Sequence, residues 1–143
     1  MNCSGLIVFT IRLMKGGGPM AKKILIADDN ALNREIMHRR LEREGFDVVV
    51  ASTGKEALSM ARSERPSLIL MDMSMPMMNG WDATRHLRED ESLKHIPVIA
   101  LTANAMMGDR ERSLEAGCDE YESKPVDFPS LLKKISILTA VKR

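Results

Sequence analysis

From Lys22 onward, short apolar runs alternate with longer stretches whose apolar residues recur at helical spacing. Ile24-Leu25-Ile26-Ala27 reads as a buried strand. A helix is predicted from about Ala31 to Glu44, with Leu32, Ile36 and Leu41 near one face and Gly45 as its stop. Asp47 to Ala51 is a second strand, and Gly54 to Glu64 a second helix that ends before Pro66. Leu68 to Met71 and Pro97 to Leu101 are further strands. The first of these leads to a helix over Gly80 to Glu89, the second to one from about Asn104 to Ala116 with Gly117 behind it. Glu120-Tyr121-Glu122 is a thin fifth strand. A last amphipathic helix carries Phe128, Leu131, Leu132, Ile135 and Leu138.

Five strand–helix units in this order predict an α/β fold, a mainly parallel sheet with right-handed crossovers and helices on both faces. The first, third and fourth runs are near-continuously apolar, as central strands covered on both faces should be. A chain of 143 residues has room for one domain. Only 3% of its residues are aromatic, so the core is expected to be aliphatic. A formal charge of +1 without a basic stripe argues against nucleic acid and against a membrane surface as partners. Cys3 and Cys118 are too few and too far apart for a disulfide framework. Reduced thiols in a cytosolic protein are the simpler reading.

Residues 1–19 stand apart. Gly5 to Met14 is apolar but interrupted by Arg12, and far shorter than the roughly 20 residues of a membrane helix. It also lacks the basic start and small-residue cleavage site of a signal peptide. Met20-Ala21-Lys22-Lys23 reads like a natural beginning, and Lys15-Gly16-Gly17-Gly18 can be encoded by a purine-rich stretch resembling a bacterial ribosome-binding site. Residues 1–19 are therefore expected to be a translated leader, with the domain over 20–143. Little chain follows Leu138, so no output domain is expected.

The candidate chemistry lies where the strand runs stop. Asp28 and Asp29 follow the first run, Asp72 the third and Thr102 the fourth, while Lys124, joined to Pro125, follows the weak fifth. In an open parallel sheet the carboxyl ends of the strands gather in one crevice. Clustered carboxylates raise one another's pKa unless a cation intervenes, and Mg2+ suits an all-oxygen site that shares its remaining positions with phosphate. Asp72 can then attack phosphorus, with Lys124 supplying fixed positive charge and the Thr102 hydroxyl a hydrogen bond to a phosphoryl oxygen.

On Lys23 to Asn30, Leu70 to Gly80, Ala100-Leu101-Thr102-Ala103 and Ser123-Lys124-Pro125, the chain resembles a response-regulator receiver domain of two-component signalling over residues 22–139. The resemblance implies a flavodoxin-like five-stranded sheet in the order 2-1-3-4-5. It implies Asp72 as phosphoacceptor, with Asp29, Asp72 and the Ser74 backbone carbonyl as Mg2+ ligands and Asp28 acting mainly through a bound water. Thr102 and Tyr121 match the family's switch pair, and the Lys124–Pro125 bond is expected to be cis. Ser74 and Asn104 match positions that tune how fast water removes the phosphoryl group. The implied donor is a sensor or hybrid histidine kinase or a histidine phosphotransfer protein, and the implied output is contact with a downstream protein. Such a chain assists its own phosphorylation and dephosphorylation rather than turning over a substrate, and cytoplasmic residence follows from that role.

Plainer readings accompany these. Asp29 or Asn30 could cap the first helix, and Thr102 the fourth. Tyr121 could be an edge-strand aromatic. His38, His86 and His95 lie among charged neighbours and read as solvated. Met71, Met73, Met75, Met77 and Met78 form a thioether cluster of the kind that favours Cu(I), but packing around the loop after Asp72 explains it more simply. A phosphoesterase would want a second Asp where Ser74 stands. A flavin-binding domain would want a hydroxyl- and glycine-rich loop where Asp28 and Asp29 stand.

Overall fold

A computed structural model describes residues 21–103 and 108–140. Strands and helices alternate along it: β1 (Lys23–Ala27), α1 (Ala31–Arg43), β2 (Asp47–Ala51), α2 (Gly54–Glu64), β3 (Leu68–Asp72), α3 (Gly80–Glu89), β4 (Val98–Thr102), α4 (Asp109–Ala116), β5 (Glu120–Ser123) and α5 (Phe128–Ala140). The strands form one parallel sheet in the order β2-β1-β3-β4-β5. This is the flavodoxin-like order expected from the resemblance. The expected leader over 1–19, and the start of the fourth helix at Asn104, lie outside the described residues.

The register explains why the polar residues converge. Ala27 pairs with Met71, so Asp28 and Asp72 come level at the carboxyl edge; Asp72 pairs with Leu101 and Thr102 with Ser123. Side chains alternate along each strand, which divides the core into two layers. Ile24, Ile26, Leu70, Ile99 and Leu101 pack with Met37, Leu41, Leu131 and Ile135 on one face. Leu25, Ile69, Met71, Val98 and Ala100 pack with Ala57, Leu58, Trp81 and Leu87 on the other.

Local chemistry sets the helix starts. Asn30, Thr53 and Asn79 each accept a hydrogen bond from the backbone N–H three residues on, at the head of α1, α2 and α3. Asn30 is thus the cap of α1, which leaves the Asp29 carboxylate uncommitted.

The buried face of α1 differs from the sequence expectation. Leu32 and Ile36 are 68% and 50% exposed, whereas Met37 and Leu41 are buried. Each pair is four residues apart and forms its own stripe, and the stripe turned to the sheet is Met37/Leu41.

At the opposite edge of the sheet, Arg88 on α3 donates to the carbonyls of Lys94, Ile96 and Gly117 and to Asp119. The same Asp119 oxygen accepts from the Val98 N–H, so the amino ends of β4 and β5 are tied to α3. Also at this edge, Lys22 Nζ donates to Thr139 Oγ1 at 2.9 Å. Cys118 nearby is buried, and burial pushes its thiol up to about 11. Among the described residues no helix is long and apolar enough to cross a membrane.

Candidate functional site

The crevice at the carboxyl edge gathers the expected residues. Asp28, Asp29 and Asp72 each offer an oxygen within 4.8 Å of the others, the first and last from buried side chains and Asp29 from an exposed one. Lys124 Nζ faces Asp72 Oδ2 at 3.1 Å and Asp28 Oδ2 at 3.5 Å. The Lys124–Pro125 bond is cis, and the Lys124 N–H donates to the Thr102 carbonyl at 2.8 Å, which fixes where the lysine stem leaves β5. Ser74 approaches the other oxygen of Asp72: its backbone N–H and its hydroxyl each lie 3.0 Å from Oδ1.

The charges are only partly compensated. Burial holds the Asp28 carboxyl above the usual carboxylate range, and the charge on Asp72 pushes the same way. The Asn30 N–H at 2.8 Å from Oδ1, and Lys124, oppose that shift without cancelling it. Asp28 Oδ2 accepts no hydrogen bond, and the buried Thr102 Oγ1 has no hydrogen-bond partner. Three hard carboxylate donors, with one buried oxygen that meets only Lys124 at 3.5 Å and accepts no hydrogen bond, fit a small divalent cation such as Mg2+.

Tyr121 lies half-buried on β5 against the core layer of Trp81 and Ala100. Arg110 and Lys134 flank its ring at 5.5 and 5.2 Å from the centroid. Asn104 lies outside the described residues. The histidines stand at the surface, His38 beside Glu42 and His86 beside Glu89. Met71, Met73 and Met75 are buried in the core and Met78 packs against it, as the packing reading expects. Met77 departs from it: the residue is fully exposed with a left-handed φ of 67°, so its thioether meets solvent rather than the loop.

Two features had no sequence signal. Arg34 on α1 donates from Nη1 to the Asp28 carbonyl at 2.7 Å, which braces the turn that presents both N-terminal carboxylates. A groove of about 510 Å³ opens beside the site between α1 and α5, lined by Asp28, Ile36, Met37, Lys124, Pro125 and Phe128. The exposed side chain of Ile36, misplaced by the helical pattern, lines this groove.

The sequence matches the family described as the response regulator receiver domain over residues 24–136. It is 43% identical over 116 residues to the polar-differentiation response regulator DivK of Brucella ovis, covering 81% of this chain and 94% of that protein. The DivK of Brucella melitensis matches equally well. Among solved structures, the receiver domain of a sensor histidine kinase from Pseudomonas aeruginosa superimposes with a TM-score of 0.79 at 35% identity, covering 85% of this chain and 99% of that one; that structure has a magnesium ion coordinated in its active-site cleft. A receiver domain from Saccharomyces cerevisiae, co-crystallised with a histidine phosphotransfer signalling protein, has a TM-score of 0.78 at 28% identity and covers 84% and 90% of the two chains.

Proposed function

The chain belongs to the response regulator receiver family, and from that premise we propose that it accepts a phosphoryl group onto Asp72 from a phosphohistidine donor, with Mg2+ as cofactor, and so switches protein contacts in a two-component phosphorelay. The observation that carries the proposal is the unequal treatment of the two Asp72 oxygens. Ser74 holds Oδ1 from two donors while Lys124 faces Oδ2, and two further carboxylates stand within ligand reach.

Asp29, Asp72 and the Ser74 carbonyl would hold the metal, with Asp28 acting through a bound water. Bound Mg2+ supplies the positive charge that lets a carboxylate and a phosphoryl group approach each other. A carboxylate oxygen of Asp72 forms a bond to phosphorus as the bond from phosphorus to the donor imidazole nitrogen breaks. The electron pair stays on the imidazole, which leaves neutral or takes up a proton. Lys124 stabilises charge on the transferring group, and the unpartnered Thr102 hydroxyl is free to bond a phosphoryl oxygen. Tyr121 would then turn into the space Thr102 vacates, altering the surface around β5 that a downstream protein reads. Ser74 and Asn104 would govern access of water to the acyl phosphate, so the chain assists its own dephosphorylation without turning over a separate substrate.

A donor must bring its imidazole to Asp72, and the apolar surface of Leu32, Ile36, Pro125 and Phe128 adjoins that approach. It suits the side of a helical phosphohistidine protein or kinase domain. A cytoplasmic setting follows from such donors.

Intact-protein mass after incubation with acetyl phosphate tests the proposal, on wild type and Asp72→Ala, with and without Mg2+. One phosphoryl group on wild type alone, and only with Mg2+, is expected. Equal labelling of Asp72→Ala removes Asp72 from its assigned role.

A further inference from the structure

Helix α4 is docked with little apolar burial. Of its residues only Ser113 and Ala116 are buried, and Leu114 is exposed. A polar grip from α3 takes the place of an apolar stripe. The Trp81 indole donates from Nε1 to Ser113 Oγ at 3.1 Å in a buried contact, and the Arg112 guanidinium lies 3.7 Å from the ring centroid. Trp81 itself is only 9% exposed.

The other side of the same helical turn touches the phosphoacceptor. Gly80 donates its N–H to the Met73 carbonyl at 3.2 Å. It packs so closely on β3 that a Cβ at this position would stand 2.4 Å from the Asp72 carbonyl oxygen. Thr84 donates back to the Gly80 carbonyl at 2.7 Å and stiffens the turn. One short segment thus abuts the backbone of Asp72 and grips α4.

We infer that Trp81, Ser113 and Arg112 form a latch that holds α4 in its resting position and that phosphorylation of Asp72 works against it. The inference rests on the phosphoacceptor reading above and adds a second route to the switch. Gly80, packed on the Asp72 backbone, directly precedes Trp81, so a shift of that backbone on phosphorylation reaches the side chain that grips α4. The latch contact belongs to one arrangement of α4, so its strength sets the ratio of the two states. Arg112 adds a cation–π attraction over the ring. Because the indole N–H is buried, removing its acceptor leaves a donor unsatisfied in the latched state alone.

Trp81 is the only tryptophan in the chain, so its emission reports the latch directly. The experiment records emission spectra of wild type, Ser113→Ala and Arg112→Gln with Mg2+ and increasing acetyl phosphate, with intact mass on the same samples. Wild-type emission is expected to shift in step with added mass. Unphosphorylated Ser113→Ala is expected to start displaced toward the phosphorylated spectrum, and to need about two- to ten-fold less phosphodonor for half-saturation, the effect of one buried hydrogen bond. Arg112→Gln, which keeps that bond, shifts half-saturation the same way by less. A wild-type spectrum that stays fixed while the mass rises overturns the latch and leaves the phosphoacceptor reading intact. So does a Ser113→Ala half-saturation equal to wild type. No added mass on wild type overturns both.

Discussion

Ser74 holds a single oxygen of Asp72 twice, through its backbone N–H and through its hydroxyl, both at 3.0 Å. A carboxylate oxygen stabilised by two donors is a weaker nucleophile than one held by one. The Ser74→Ala variant keeps the N–H and loses the hydroxyl, so its initial rate of phosphorylation by acetyl phosphate is expected to rise by about two- to five-fold, less than one full hydrogen bond is worth. Timed intact-mass measurement checks this. A slower variant would mean that the hydroxyl serves the transition state rather than the resting carboxylate.

Lys124 is the cation shared by two buried carboxylates. Lys124→Ala removes it and leaves both uncompensated, a change expected to cost on the order of 2 kcal/mol in metal-free protein near neutral pH. Added Mg2+ is expected to recover part of that loss, because the ion takes over the charge compensation. Urea unfolding with and without Mg2+ measures both effects, and a loss that Mg2+ leaves untouched would assign Lys124 a packing role instead.

Asp28 carries a proton more readily in the folded chain than in the unfolded one. Its contribution to stability is therefore fully present below the ordinary carboxylate pKa and lost as pH rises through the elevated folded value. Asp28→Asn is expected to be more stable than metal-free wild type near neutral pH, with the gap closing as pH falls below the ordinary carboxylate value. The same variant should gain less stability from added Mg2+ than wild type does. Unfolding midpoints across pH in the presence of a chelator supply the test; a gap that does not change with pH excludes Asp28 as its source.

Cys118 has its thiol pKa raised to about 11 by burial. The folded state retains the proton longer than the unfolded state, so stability falls as pH climbs from the ordinary thiol value toward 11. Cys118→Ala is expected to lack that part of the alkaline loss, and in a Cys3→Ser background native protein should resist thiol reagents near pH 8 until it is unfolded. Alkaline unfolding curves of the two proteins, together with thiol titration in and out of denaturant, decide the point.

Much of this was legible in the sequence because strand ends are marked by chemistry as well as by hydropathy. Ile24 to Ala27 followed by Asp28, and Leu68 to Met71 followed by Asp72, announce both the strand and the edge where it stops. Helix α1 was harder to read. Leu32/Ile36 and Met37/Leu41 are two apolar stripes on one short helix, and periodicity does not say which meets the sheet. The outward stripe belongs to the rim of the site. The Trp81–Ser113 and Arg88–Asp119 contacts were invisible for a different reason. Each joins residues far apart in sequence, and neither a serine nor an arginine on a helix signals a partner by its spacing.

The contact between Lys22 and Thr139 places the two ends of the described chain side by side, at the edge of the sheet remote from Asp72. All five strands run away from that edge, and α5 returns to it. A group joined directly before Ala21 or after Ala140 would therefore leave the described domain from the pole opposite Asp72. A sensor chip, bead or fluorescent fusion joined there would present every molecule with its reactive face outward, without an orienting antibody or a long spacer.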